Sequence, residues 1–163
     1  IAFMLNGDEI LRSKPLLDDN KQPLGAGQFS HNSYNLPDEC NSIKWDEKVT
    51  NIKTFEAYKA LIKIAREQSL FHFSTKEECA GYQNLWKDNY CIQNVVSKAN
   101  SAEGQWDKAM IIVTNAKANN YKVNNISGDW KVAYSYNTNL KVGQTVNSSI
   151  TVNDYAVVIL YQE

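Results

Sequence analysis

The sequence predicts an α+β chain in which a βα unit is followed by an antiparallel β-sandwich. Three observations carry this. An apolar stretch, Ile1-Ala2-Phe3-Met4-Leu5, runs into Asn6-Gly7 and then into a long irregular segment. Apolar residues recur in steps of three and four over 48–68. From Asp88 onward, short runs of β-formers alternate with Asn, Gly, Asp and Ser clusters.

The apolar opening reads as a strand, and the segment after it as a loop of the length that compact domains keep for function or leave disordered. Val49, Ile52, Phe55, Tyr58, Leu61 or Ile62, and Ala65 then form one face of an amphipathic helix. Thr50 or Asp46 suits its N-cap, and Lys63 and Glu67 form an i,i+4 pair. Thr75-Lys76-Glu77-Glu78 matches a capping box for a second helix, with Cys79, Tyr82 and Leu85 or Trp86 on its apolar face. Strands are expected at 90–96, 106–114, 121–125, 129–136, 149–152 and 155–161. Trp130, Val132, Tyr134 and Tyr136 alternate with Asp129, Lys131, Ala133 and Ser135, the pattern of a half-buried strand. Met110-Ile111-Ile112-Val113 is apolar on both faces and belongs in a sheet centre.

With 163 residues, 43% hydrophobic and 21% charged, the chain can hold one ordinary domain or two smaller pieces. A net charge of −1 and a pI near 6.2 create no field for nucleic acid or an anionic membrane surface. No apolar run approaches a membrane span. Cys40, Cys79 and Cys91 are an odd number without a C-x-x-C pair, and they read as free thiols. His31 and His72 stand apart, so neither a metal site nor another cofactor is expected.

Three segments together resemble a known family: Gly7-Asp8-Glu9-Ile10-Leu11-Arg12-Ser13-Lys14, Asn32-Ser33-Tyr34-Asn35-Leu36-Pro37-Asp38, and Asn41-Ser42-Ile43-Lys44-Trp45-Asp46. They are similar to the last barrel strand and following loop of type I pullulanases, the starch-debranching hydrolases of the α-amylase superfamily. Ala2 and Lys44 depart from the usual pattern, as does an insertion over 87–105. The resemblance implies that 1–87 are the C-terminal end of a (β/α)8 catalytic barrel, a barrel-end β/α remnant. It implies that 88–163 are a C-terminal β-sandwich. It further implies an α-glucan substrate (starch, pullulan or glycogen), cleavage of α-1,6 branch linkages, and an upstream barrel as partner.

Glycoside hydrolysis by retention needs two carboxyl groups roughly 5–5.5 Å apart across the scissile bond. The adjacent acidic pairs here suit solvated or capping roles. The resemblance places the nucleophile, general acid and third carboxylate upstream of Ile1, so no catalytic residue is assigned. It makes Asn32, Ser33, Tyr34 and Asn35 the candidate substrate contacts. Amides and a hydroxyl match sugar hydroxyls, and Tyr offers a stacking face. The same residues equally suit Asx-type turns that hold the loop. Glu9 and Arg12 suit an ion pair or backbone clamp, and Gly7 a turn or close approach. Phe3, Leu5, Leu11 and one helix face would lack their barrel neighbours, and self-association or a rearranged N-terminal segment is the expected response. A carbohydrate-binding module presenting Trp106 or Trp130 and tyrosines is the competing reading, and a ligand-free structural module a third. The compartment, cytoplasmic or secreted, is left open.

Overall fold

The structure is a computed structural model that describes residues 4–98 and 101–163. The strand expected at the start falls partly on Ile1, Ala2 and Phe3, which lie outside the described residues, while Met4 and Leu5 are coil. The chain packs as two units, Ile1–Lys59 and Ala60–Glu163.

The first unit opens with a 3-10 turn, Asp8–Ile10. The segment expected to lack regular pattern is a loose antiparallel ribbon. Leu16 N–H donates to Gln28 O at 2.9 Å, Leu24 N–H to Leu16 O at 2.9 Å and Ser30 N–H to Lys14 O at 3.0 Å. Bridges at Pro15–Phe29 and Leu17–Pro23 complete it. Asp18 turns the chain by accepting from the backbone N–H groups of Asn20 and Gln22. Two short helices follow, α1 (Asp38–Asn41) and α2 (Glu47–Thr50), and then the long helix α3 (Ile52–Glu67).

The single helix expected over 48–68 is therefore two. Asn51, at φ −104° and ψ 30°, separates them. Its side-chain N–H donates to Ile10 O at 2.8 Å, and its carbonyl accepts from Thr54 and Phe55. A short amide that finds a partner off the helix axis competes with helical bonding. Asp46 takes the N-cap position of α2 without a side-chain cap bond, and Thr50 lies inside α2.

In the second unit the expected capping box forms. Thr75 Oγ1 accepts from Glu78 N–H at 3.2 Å, opening α4 (Lys76–Cys79). The Glu78 carboxylate accepts from Ser74 N–H at 2.5 Å, one residue before the usual capping-box partner. That bond, with Lys98 3.7 Å away, holds the Glu78 carboxyl below its ordinary range against the opposing cost of desolvation. Past Cys79 the expectation fails, because Tyr82, Leu85 and Trp86 lie on a strand. A Cβ on Gly81 would fall 2.0 Å from Ser97 O, so only glycine lets the two backbones meet here. Ser97 N–H donates to Gly81 O at 3.0 Å, and the chain enters the sheet.

The strands are β1 (Tyr82–Lys87), β2 (Cys91–Ser97), β3 (Lys108–Thr114), β4 (Tyr121–Val123), β5 (Trp130–Tyr136), β6 (Thr145–Val146), β7 (Ile150–Val152) and β8 (Val157–Gln162). Six form one antiparallel sheet in the order β1-β2-β3-β8-β5-β6, and β4 pairs with β7 in the second. The sheet begins at Tyr82, ahead of the 88–163 span read from the sequence. The expected α+β architecture with an antiparallel sandwich is the one observed.

β3 lies between β2 and β8, as its two apolar faces require. Met110 and Ile112 enter a core with Val132, Val158 and Leu160, which Val123, Ile150 and Val152 of the smaller sheet cover. On the opposite face Ala109, Val96 and Ile159 pack with Leu70 and Trp106, and Leu61, Ile64 and Phe71 join them. The alternation in β5 breaks at Ala133. Val132 opposes Leu160 and Tyr134 opposes Ile159, so a bulge sends Ala133 and Tyr134 to the same face.

Cys40, Cys79 and Cys91 are free. Burial and the nearby Asp88 charge raise the Cys91 thiol to about 11, which keeps it protonated at neutral pH. Among the described residues no helix is long and apolar enough to cross a membrane, and no group of His, Cys, Asp or Glu is arranged to hold a metal.

Candidate functional site

The segment 32–35 belongs to the first unit, and long-range side-chain bonds fix it there. Lys14 Nζ donates to Ser33 Oγ at 2.8 Å. Asn41 Nδ2 donates to Ser33 O at 2.7 Å and to Leu36 O at 2.8 Å. Arg12 reaches across to Asn41 O with one guanidinium nitrogen and to Asn6 O, at 3.1 Å, with another. Asn41 is thus both clamp and clamped, and it is a residue that sequence reasoning passed over. Its only signal was membership of the Asn-x-Ile-x-Trp-Asp segment.

Glu9 and Arg12 act as backbone clamps. Glu9 Oε2 accepts from Gly7 N–H at 3.2 Å, and both Arg12 bonds go to carbonyls. Gly7 sits at φ +99°, and a Cβ there would meet Arg12 Cβ at 2.6 Å. Both the turn and the close approach expected of it are present. Gly7→Ala is expected to lower stability by about 1–3 kcal/mol, the cost of a strained backbone conformation. A urea midpoint unchanged from the native chain would contradict this.

The four candidate contacts do not present equal faces. Ser33 is buried and tied to Lys14, so its hydroxyl is occupied. Asn32 Oδ1 accepts from Tyr34 N–H at 3.4 Å, the Asx-type turn weighed above. Tyr34 is 88% exposed, and Asn35 is exposed beside it. The segment therefore combines a tethered floor with one free aromatic face, a geometry suited to stacking against a flat apolar surface of a ligand.

In the second unit, Trp106 and Trp130 are both buried, which removes them as a glycan platform. Trp106 stacks on Tyr161 at 4.5 Å, and Trp130 Nε1 donates to Ser127 O at 3.0 Å. A polar and aromatic cluster forms elsewhere in that unit. Trp86 Nε1 donates to Tyr121 Oη at 3.0 Å, and Tyr121 Oη donates to Asp88 Oδ2 at 2.6 Å. Sequence reasoning missed it because Trp86 was read on a helix face, where it could not meet Tyr121.

No family model matches the sequence. Among solved structures, the chain is similar to a pullulanase from Anoxybacillus sp. LM18-11, with a TM-score of 0.76 and 21% identity over 99% of this chain and 20% of that one. A pullulanase from Bacillus acidopullulyticus matches with a TM-score of 0.73 and 22% identity, over 98% and 18% of the two chains. Pullulanase type I from Bacillus subtilis str. 168, solved with maltose, matches with a TM-score of 0.73 and 17% identity, over 96% and 20%. The fold is that of one part of these pullulanases. The chain spans about a fifth of the length of each.

Proposed function

We propose that the chain is the C-terminal part of a pullulanase-type glycoside hydrolase that cleaves α-1,6 linkages in starch, pullulan or glycogen. It supplies a loop of the substrate site and an accessory β-sandwich, while the catalytic carboxylates come from an upstream barrel. The observation that carries this is the match of 99% of the chain to one stretch of a pullulanase, on a sequence that also bears the three loop segments. In this reading the barrel end, 1–87 from the sequence, stops short of Tyr82, and the sandwich, 88–163 from the sequence, takes in β1 as well.

The division of labour follows from the site. Tyr34 stacks on a glucosyl ring, Asn32 and Asn35 bond its hydroxyls, and Ser33 with Lys14 holds the segment at a constant height. Such contacts are made alike to substrate and transition state, so they act on KM.

The test is the chain joined to its natural upstream sequence and assayed on pullulan. Release of maltotriose is expected, and products of α-1,4 cleavage would overturn the specificity. In that full-length protein, Tyr34→Ala is expected to raise KM about 3- to 10-fold, the worth of one aromatic contact, with kcat retained. An unchanged KM would remove Tyr34 from the substrate site.

A further inference from the structure

We propose that the sandwich unit carries its own α-glucan site, a single-ring platform built on Trp86 and closed by Tyr121 and Asn124. A bonded relay runs from Trp86 through Tyr121 to Asp88. Asp88 Oδ1 accepts from the backbone N–H groups of Tyr90 and Cys91 at 2.7 and 2.8 Å, which fixes the carboxylate at the turn between β1 and β2. Its other oxygen takes the Tyr121 hydroxyl proton, and the Tyr121 oxygen in turn takes the Trp86 indole N–H. Each donor is polarised by the next acceptor, so the chain of bonds reinforces itself toward the carboxylate. The Tyr121 bond is the chief cause holding the Asp88 carboxyl below its ordinary range. Partial burial and the bond to Asp88 hold the Tyr121 hydroxyl above its own.

The outcome is an indole fixed at its edge and about half exposed. Trp86 is 47% exposed and Tyr90 43% exposed, although surfaces ordinarily carry few open Trp beyond what function needs. A tether between the sheets would require only the Tyr121–Asp88 bond. Beside the indole lies a recess of about 170 Å³ lined by Trp86, Tyr121, Lys122, Asn124 and Asn125. That is smaller than the roughly 300–1,000 Å³ of pockets that enclose whole small molecules. It suits one sugar ring laid on the indole, with amide and hydroxyl groups at its rim.

Amides bond paired sugar hydroxyls as donor and acceptor at once, and the apolar face of a pyranose covers an aromatic ring. Because the relay holds Trp86 in place before binding, little side-chain freedom is lost on contact. The geometry calls for a pyranose. That the glycan is α-linked glucose rests on the function proposed above.

The experiment is affinity electrophoresis of the 163-residue chain in gels containing glycogen, with maltoheptaose titration followed by tryptophan fluorescence. Retardation and quenching are expected. Trp86→Ala should weaken binding at least about tenfold, and Trp86→Phe should restore part of it. Tyr121→Phe, which keeps the ring and removes the relay, should weaken it less. Circular dichroism of each variant establishes that the sheet persists. No retardation, or retardation lost in Tyr34→Ala and kept in Trp86→Ala, would overturn the proposal. Neither result touches the debranching reading, which stands or falls on maltotriose release by the full-length protein.

Discussion

Replacing Leu160 by alanine is expected to lower the unfolding free energy by about 2–5 kcal/mol, the range for a large aliphatic side chain removed from a core. Leu160 is fully buried on β8, the strand between β3 and β5. It opposes Met110 on one side and Val132 on the other, so its side chain closes the row that the smaller sheet covers. Those neighbours are held by ladders on both edges and cannot collapse freely into the space. The loss is a large share of the ~5–15 kcal/mol that holds an ordinary domain together. Urea unfolding followed by tryptophan fluorescence reads this directly, since Trp130 shares that core. Ile62→Ala, at an exposed position of α3, is the control, with an expected change within about 0.5 kcal/mol. Equal effects at the two positions would refute the core assignment.

The 163-residue chain by itself is expected to release no reducing sugar from pullulan or starch. Retaining hydrolysis needs a general acid kept protonated near neutral pH, together with a second carboxylate across the bond. Glu78 and Asp88 move the other way. Hydrogen bonds from Ser74 and from Tyr121 stabilise their charged forms, so both are ionised near neutral pH and hold no proton to donate. The segment 32–35, proposed above as a sugar contact, offers amides and hydroxyls, which can position a sugar and do not transfer its proton. In the first unit Leu5, Leu11, Trp45 and Val49 are exposed, Val49 to 79%. Apolar side chains of that kind favour association, and sedimentation at rising concentration should show a growing mean mass. Turnover above a protein-free blank would defeat the first expectation, and a monomer at every concentration the second.

Where the sequence was legible, the determining interactions were short-ranged. The capping bond at Thr75 joins residues three apart, and the Asx-type turn at Asn32 spans two. The central place of β3 follows from four consecutive apolar residues, and the buried pair Trp130 and Val132 from alternation. The Lys63–Glu67 pair forms as an exposed contact at 3.9 Å. The likeness to pullulanases was also readable, because the pattern of Gly7, Glu9, Arg12 and Asn32 to Asn35 is itself local.

Long-range partners decided the rest. Tyr82–Lys87 carries helical spacing behind a good capping box, yet five residue pairs with β2 outweigh that weak local preference. Gly81 is the point where Ser97 O needs room. The bulge at Ala133 depends on register with β8, and the ribbon within the first loop on the bonds from Leu16 N–H to Gln28 O and from Ser30 N–H to Lys14 O. Asn51 divides a helix because Ile10 O lies within its reach, forty-one residues back. Trp86 meets Tyr121 only after two sheets are stacked. Local patterning determined which segments could be helix or strand and which residues faced a core. Tertiary structure decided which backbone groups found partners, and an unpaired buried backbone group costs more than any local propensity returns.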